Sequence, residues 1–405
     1  MGIRAAIPIA ATGARRQVES SENRAATSTA ARILVPGSGL APASHSIHMS
    51  AAPGRVPRYP AAALVEFARA LVERAGVRSD IAADVAGVLV TGDLLGHTTH
   101  GLALLAPYLA EIEKGAMAKS GAPTIVSSRP AAQTWDGERL PGPWLTLRAL
   151  DAAIAMAKVS GTGTVVVRRS HHIACLAAYL LRATERGMVA LVQSSDPTVA
   201  AVVAHGGTTP IITPNPIAAG LPTSGDPILV DISSSITSMG FAKQEMNAGR
   251  RLPGAWLIDA QGDATDDPGA LFREPKGALL PLGGIDAGYK GFGLALIVEA
   301  LTAGLAGHGR ADPPAGWGGT VFVQALDPEA FGGLAQFRRQ MDEIARAAHA
   351  STPRAAGVPV RLPGEAAMQR LRAQTAEGVS LYPTIMPALA PWAEKLGVLG
   401  PTPLD

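Results

Sequence analysis

The sequence predicts an α/β protein, and three observations predict it. Strand-like and helix-like stretches alternate through the middle of the chain, where TVVVRR, CLAAYLLRATERG, MVALVQSS and DPILVDIS follow one another. That is the pattern of a sheet layered with helices. The first third instead repeats apolar residues at helical spacing. Finally, 405 residues with 47% hydrophobic and 17% charged side chains can bury a sizeable core, in one large domain or two.

The elements follow in order. Residues 1–48 are rich in Ala, Ser, Thr, Gly and Arg, with five Arg against two Glu and no strong periodicity. They read as a transit peptide or as sequence ahead of a start at Met49. The second is favoured because MSAAPGRVPRYPAAALVEFARALVERAG opens like an ordinary domain. A first helix follows Pro60, since proline suits a first helical turn, and ends at Gly76. Ser79 or Asp80 caps a second helix to about Leu95, and a third runs from about His100 to Lys114. TIVSS and AAQTW are short strands around a turn at Arg129-Pro130, and a long helix covers Pro143 to Val159. TPIITPNP reads as an extended connection, and residues 240–285 as loop-rich. KGFGLALIVEALTAGLAG is a buried helix and TVFVQALD a strand. Pro328 to His349 is a helix broken at Gly332-Gly333, and Gly364–Gln374 and Thr384–Leu396 are helices.

Several function classes are excluded. A net charge of +2 with no run of Lys or Arg offers no nucleic-acid groove. Cys175 is the only cysteine, so no internal disulfide can form, and a reducing, cytoplasmic setting is expected. No uncharged apolar run is long enough to span a membrane, because the best candidate carries Glu299. GSGLAP and GTGTVV each fail the GxGxxG fingerprint at its third glycine, and HExxH and GxSxG are absent.

Four clusters could carry chemistry. In LLGHTTHGLALLAPY, His97 and His100 stand three apart beside Gly96 and Gly101, which puts both imidazoles near one side of a helical turn. The plainer alternative is two polar caps between packed helices. Ser170-His171-His172 follows a strand directly, where α/β folds place ligands, or else caps a helix. Asp231 ends ILVDISSS and can hold a ribose hydroxyl, although capping a helix is the favoured role. Gly288 to Gly293, GYKGFG, sets Lys290 among glycines at a helix start, which suits a phosphate, or else is a turn with an exposed lysine. Cys175, in an apolar neighbourhood, reads as a packing residue rather than a nucleophile.

Taken together, GHTTHG, SHHIACLAAY, ITPNPIAAGLP, LVDISSS, GYKGFGLALIVEAL and RLPGE, in that order from about residue 58 to 400, resemble the malate/L-lactate dehydrogenase family of NAD(P)-dependent oxidoreductases. The resemblance implies a non-Rossmann nucleotide-binding sheet domain over residues 131–318. It implies a mainly helical domain built from 53–130 and 319–405, after a tail of 1–52. It makes His100 and His172 the acid–base candidates, with Thr99 beside the first. It assigns His172, Ser195, Asp231, Ile232, Ser233, Lys290, Gly364 and Glu365 to the dinucleotide, NAD or NADP, and Thr213 to the substrate side. Where relatives carry a carboxylate-gripping Arg, this chain has Leu104, which cannot form a bidentate pair. Arg168, Arg169 or Arg251 would have to supply that charge, or the substrate lacks that carboxylate.

The implied reaction is hydride transfer between a nicotinamide and a 2-hydroxy or 2-oxo acid, with a cyclic imine carboxylate as the second substrate choice. No metal, nucleic acid or membrane is expected, and relatives suggest a homodimer with a small-molecule substrate. A zinc hydrolase or lyase built on His97, His100, His171 and His172 ranks well behind, because no acid stands at a fixed spacing from them. A non-enzymatic scaffold ranks lower still. The dehydrogenase reading requires His100 and His172 to meet in one crevice.

Overall fold

A computed structural model describes residues 57–313 and 316–404. The tail expected over residues 1–52 lies outside the described residues. Helices α1 (Ala61–Arg74) and α2 (Ser79–Leu95) form where the apolar spacing demands, burying Leu64, Phe67, Leu71, Ile81, Val85 and Leu89 in one core. Neither Ser79 nor Asp80 caps α2. Arg78 precedes it and takes the Asp80 carboxylate at 2.5 and 2.9 Å, while the Ser79 hydroxyl donates to Glu73 at 2.5 Å.

At its other end α2 closes on Gly96, whose φ of 92° is left-handed. The Gly96 N–H donates to the Asp93 carbonyl and the His97 N–H to the Gly92 carbonyl, each at 2.9 Å. That paired closure favours a glycine and turns the chain sharply out of the helix. The third helix does not start at His100. Gly101 leaves helical geometry (φ −101°, ψ −136°), a 3-10 turn covers Leu102–Leu104, and α3 spans Leu105–Glu113. His97 to His100 is therefore a turn between helices.

Seven strands form the main sheet. They are β1 (Thr124–Arg129), β2 (Ala132–Asp136), β3 (Thr162–Ser170), β4 (Val189–Ser195), β5 (Pro216–Leu221), β6 (Ile228–Ser233) and β7 (Gly319–Leu326). Their spatial order is β1-β2-β3-β7-β4-β5-β6. Only β2 and β3 run parallel, joined by the crossover helix α4 (Gly142–Ser160). Every other neighbouring pair in this sheet is antiparallel. A mixed sheet of this kind is not the doubly wound parallel sheet of a Rossmann fold. β5, PIAAGL, begins on the last proline of TPIITPNP and has one β-branched residue. Pairing with β4 on one side and β6 on the other holds it extended.

The stretch read as loop-rich supplies three short strands, Leu257–Ile258, Ala264–Thr265 and Ala278–Leu279, of a second, small sheet completed by Val202–Val203 and by Pro210–Ile212 from the stretch read as an extended connection. Val202, Ile212, Leu257, Leu271 and Leu279 form its own apolar centre. The expected loop also contains α6 (Met239–Asn247), started by a Ser238 side chain that accepts from the Phe241 N–H. Helix α5 (Ala177–Thr184) begins later than expected, because residues 173–176 follow a non-helical path. Helix α7 (Gly284–Glu299) begins four residues before Gly288, is broken at Ala287 and passes into a π turn over Ala300–Gly304. It is not the buried helix expected: Ile285, Tyr289, Leu296 and Ile297 are each about half exposed.

The glycine break expected inside the helix after Pro328 is present, leaving a 3-10 turn at Pro328–Ala330 before α8 (Leu334–Ala350). Helices α9 (Glu365–Glu377) and α10 (Ile385–Leu396) return to the first helices, α9 against α2 and α10 against α1 and α3. Strand Val379–Ser380 pairs with Arg58–Tyr59. The division expected at 130/131 falls within the β1–β2 hairpin, and that at 318/319 falls at the start of β7. No helix among the described residues is long and apolar enough to cross a membrane.

Candidate active site

A cavity of about 430 Å³ opens where β3, β4 and β6 end and β7 begins. His97, Thr99 and His100 reach it from the turn after α2, and His172 from the segment after β3. Ser195 comes from β4, Asp231, Ile232 and Ser233 from β6, and Thr213 from the loop before β5. The two candidate imidazoles, 72 positions apart in the chain, stack with ring centroids 6.0 Å apart and planes 28° apart. The requirement that they share one crevice is met.

The turn that carries His100 is tightly built. Asp93, on α2, is buried and accepts from the Leu102 N–H at 2.7 Å. Its carboxylate lies so close to Gly101 that a Cβ there would stand 2.4 Å from it. Burial raises the Asp93 pKa to about 7, with the Leu102 hydrogen bond opposing. Thr99 Oγ1 lies 2.7 Å from His100 Nδ1. Burial, helped by nearby His97, lowers His100 to about 4.

His172 is held from both sides of its Nδ1. The Ala174 N–H donates to it at 3.2 Å, and the Tyr108 hydroxyl lies 2.8 Å away. The same hydroxyl donates to the His172 carbonyl at 3.0 Å. A ring nitrogen that accepts from a backbone N–H carries no proton, so the neutral ring bears its proton on Nε2. Burial, with His100 and His171 adding to it, holds His172 well below the usual imidazole range. Trp317 closes this side, its ring 5.0 Å from that of His172 and 5.6 Å from that of Tyr108. Neither Tyr108 nor Trp317 was singled out by sequence. Tyr108 stands one turn into α3 among the buried Leu105, Leu109 and Ile112, a setting that marks core packing as readily as function.

The remaining polar groups are mostly engaged within the protein. Ser195 Oγ lies 3.0 Å from Thr320 Oγ1, and Thr213 Oγ1 donates to Asn215 Oδ1 at 2.5 Å. Asp231 accepts from the Ala177 N–H at 2.9 Å, so it caps a helix, but the helix is α5 rather than the one that follows it in sequence. Its carboxyl is pushed up by burial, with His97 opposing. His171 lies outside the cavity lining, fully buried between Tyr108 and Trp317, and is lowered to about 4 by burial and by Arg139.

Other expected residues are not gathered here. Lys290 is exposed on α7 over the Tyr289 ring, and Gly364 and Glu365 start α9 beside Leu229 and His349. Leu104 packs half-buried against the main core. The three arginines considered in its place are each held by a carboxylate: Arg168 and Arg169 by Asp136, at 2.9 and 2.8 Å, and Arg251 by Asp266. Among the described residues the cavity lining contains no Lys or Arg.

This arrangement presents the neutral imidazoles of His100 and His172, the His97 ring, hydroxyl groups and the carboxyl groups of Asp196 and Asp231 in one partly enclosed space, a set suited to moving a proton to or from a small polar molecule. The chain is similar to known proteins along most of its length. It is 32% identical over 345 residues to an L-lactate dehydrogenase from Cupriavidus necator, covering 83% of this chain and 97% of that one. It is 29% identical over 297 residues to a Δ1-pyrroline-2-carboxylate reductase from Ancylobacter novellus, covering 70% of this chain and 82% of that one. Its fold matches a solved malate dehydrogenase from Pyrococcus horikoshii with a TM-score of 0.77 and 26% identity, over 85% of this chain and 96% of that one. The model of the malate/L-lactate dehydrogenase family matches residues 59–390, and with the shared fold this establishes that the chain belongs to that family.

Proposed function

We propose that this chain is an NAD(P)-dependent oxidoreductase that interconverts a 2-hydroxy acid and its 2-oxo acid in the cavity shared by His100 and His172. The observation that carries this is the stacked histidine pair, 6.0 Å between centroids, beside Asp231 and Ser233 on one cavity wall. A space of about 430 Å³ is of ligand size and takes a small acid with the reactive end of a dinucleotide. Ser195, Asp231, Ile232 and Ser233 would hold that end, and a bound nicotinamide supplies or accepts the hydride.

The chain's own residues move the proton. Nδ1 of His172 is occupied by the Ala174 N–H and Nδ1 of His100 by Thr99, which leaves Nε2 of each ring for the substrate. In oxidation His100, with its Nδ1 proton donated to Thr99 Oγ1, accepts the hydroxyl proton on Nε2 as the carbon loses hydride, while the Nε2–H of His172 donates a hydrogen bond to the same oxygen. In reduction the protonated ring returns it, and burial, which disfavours the cationic form, makes that return easy. Trp317 and Tyr108 keep water from the His172 side.

The second substrate choice, a cyclic imine carboxylate, is supported by the similarity to the pyrroline-2-carboxylate reductase. A homodimer fits the exposed apolar face of α7, and a cytoplasmic location fits the single, buried cysteine. Lys290, Gly364 and Glu365, which lie outside the cavity lining, stay candidates for the dinucleotide on the family resemblance alone. The test is a thermal-shift screen with NADH and NADPH, followed by turnover on a panel of 2-oxo acids and cyclic imine carboxylates. Stabilisation by one nucleotide and turnover of one acid are expected. No shift with either nucleotide would sink the proposal.

A further inference from the structure

Beside the histidine pair, the same cavity holds a second group of side chains that the reaction above leaves unused in this combination. His97 comes from the turn after α2, Cys175 from the segment before α5, and Asp231 from β6. Their ligating atoms, one nitrogen, one sulfur and one oxygen, all lie within 4.8 Å of one another. Cys175 Sγ is 3.8 Å from Asp231 Oδ2. All three residues line the cavity.

We infer that His97, Cys175 and Asp231 form a binding site for a zinc-class divalent ion, and that the ion, once bound, withdraws Asp231 from any other ligand of the cavity. The donor set decides the class. Thiolate, imidazole and carboxylate together suit borderline-soft zinc, whereas Mg²⁺ and Ca²⁺ take oxygen ligands. Bond lengths of about 2.0–2.3 Å place tetrahedral ligands about 3.3–3.7 Å apart. The Cys–Asp pair already stands at nearly that distance, and rotation of the half-buried His97 and Asp231 side chains closes the rest. Three protein ligands leave a fourth position open towards the cavity, the arrangement of zinc sites that exchange a water or a small ligand. The thiol proton leaves when the ion binds, so binding strengthens as pH rises.

Cys175 is the sole cysteine of the chain, which makes the test unambiguous. The metal-free full-length protein is titrated with Co²⁺, without nucleotide or substrate. Expected is a thiolate-to-cobalt charge-transfer absorption that saturates at one ion per chain and is displaced by Zn²⁺. Cys175→Ser abolishes the absorption, and His97→Ala or Asp231→Asn weakens Co²⁺ binding at least tenfold. Cobalt binding without that absorption, no binding at all, or an affinity indifferent to His97→Ala overturns the site. Each variant is checked for an unchanged circular dichroism spectrum, and three separate substitutions guard against one that fails to fold.

The claim on Asp231 rests on the dehydrogenase reading and is tested separately. Zn²⁺ should abolish the NADH or NADPH thermal shift in the wild type and leave it in Cys175→Ser. A wild-type shift unchanged by saturating Zn²⁺ overturns the competition. If neither nucleotide stabilises the zinc-free protein, the dehydrogenase reading fails, and the cobalt titration still decides the ion site.

Discussion

The histidine turn after α2 and the helix α7 carry the same sequence signal, a chemically active side chain set among glycines, yet they end in opposite surroundings. His100 faces an enclosed cavity with Thr99 on its Nδ1 and the His172 ring stacked beside it. Lys290 projects from an exposed helix whose neighbours Ile285, Tyr289, Leu296 and Ile297 are apolar and half in water. Glycine permits close approach in both places but supplies no partner. A cavity forms around the first because Asp93, Tyr108 and Trp317 fix the backbone and rings around it. The second leaves apolar side chains in water, and it is the face on which the proposed homodimer rests.

The sharpest way to break this contrast is to remove the imidazoles. His172→Ala and His100→Ala should each lower turnover by about 10²–10⁴ while a nucleotide thermal shift persists. Full turnover in both variants would end the proposed chemistry. Next in size is Tyr108→Phe. It deletes the hydroxyl 2.8 Å from His172 Nδ1 but leaves the Ala174 donor, so kcat should fall roughly threefold to tenfold with little change in KM. A purely structural role would instead lower thermal stability and leave kcat per folded molecule untouched.

The pH dependence of stability tests the electrostatics of the same turn. His100 and His171 are lowered to about 4, so between there and the ordinary imidazole value near 6.5 they add stability as pH rises. Asp93 is raised to about 7, so its contribution is fully present below its unfolded value near 3.8 and is lost as pH rises through about 7. The two trends oppose. Asp93→Asn should therefore make stability climb more steeply between about pH 4 and 7 than in the wild type, measured by urea midpoints across that range. Parallel curves would show that Asp93 is not held protonated. The smallest effect on the fold belongs to α7. Ile297→Asp should change unfolding stability by only about 0.5 kcal/mol, while the homodimer proposed above should dissociate in sedimentation; a wild type that sediments as a monomer ends that proposal.

Local structure was legible where local chemistry decides it. The apolar spacing of α1, α2 and α4 and the glycine break before α8 emerge close to where periodicity and turn residues place them. The histidine pair was legible as candidates, but its partners were not. Tyr108 and His172 are 64 positions apart, and no pattern in either stretch announces their contact. β5 escaped because PIAAGL has weak strand preference and owes its shape to two neighbours. The short strands of the small sheet, two or three residues each, have no room to display an alternation. Gly288 does open the helical segment that follows the break at Ala287, but Lys290 on it lies at the surface and outside the cavity lining, which a local motif cannot foretell.

The place of β7 in the sheet has a consequence for how such a molecule is made. It is the last of the seven strands to leave the ribosome, yet it lies between β3 and β4. Until it arrives, β3 and β4 each present an unpaired edge, and open edges are where nascent chains adhere to one another. The segment leading to His172 hangs from one of those edges and Ser195 from the other. Synthesis must therefore run past residue 326 before the two sides of the pocket can be zipped together, and a ribosome stalled earlier would hold every histidine of the site without the seam that joins them.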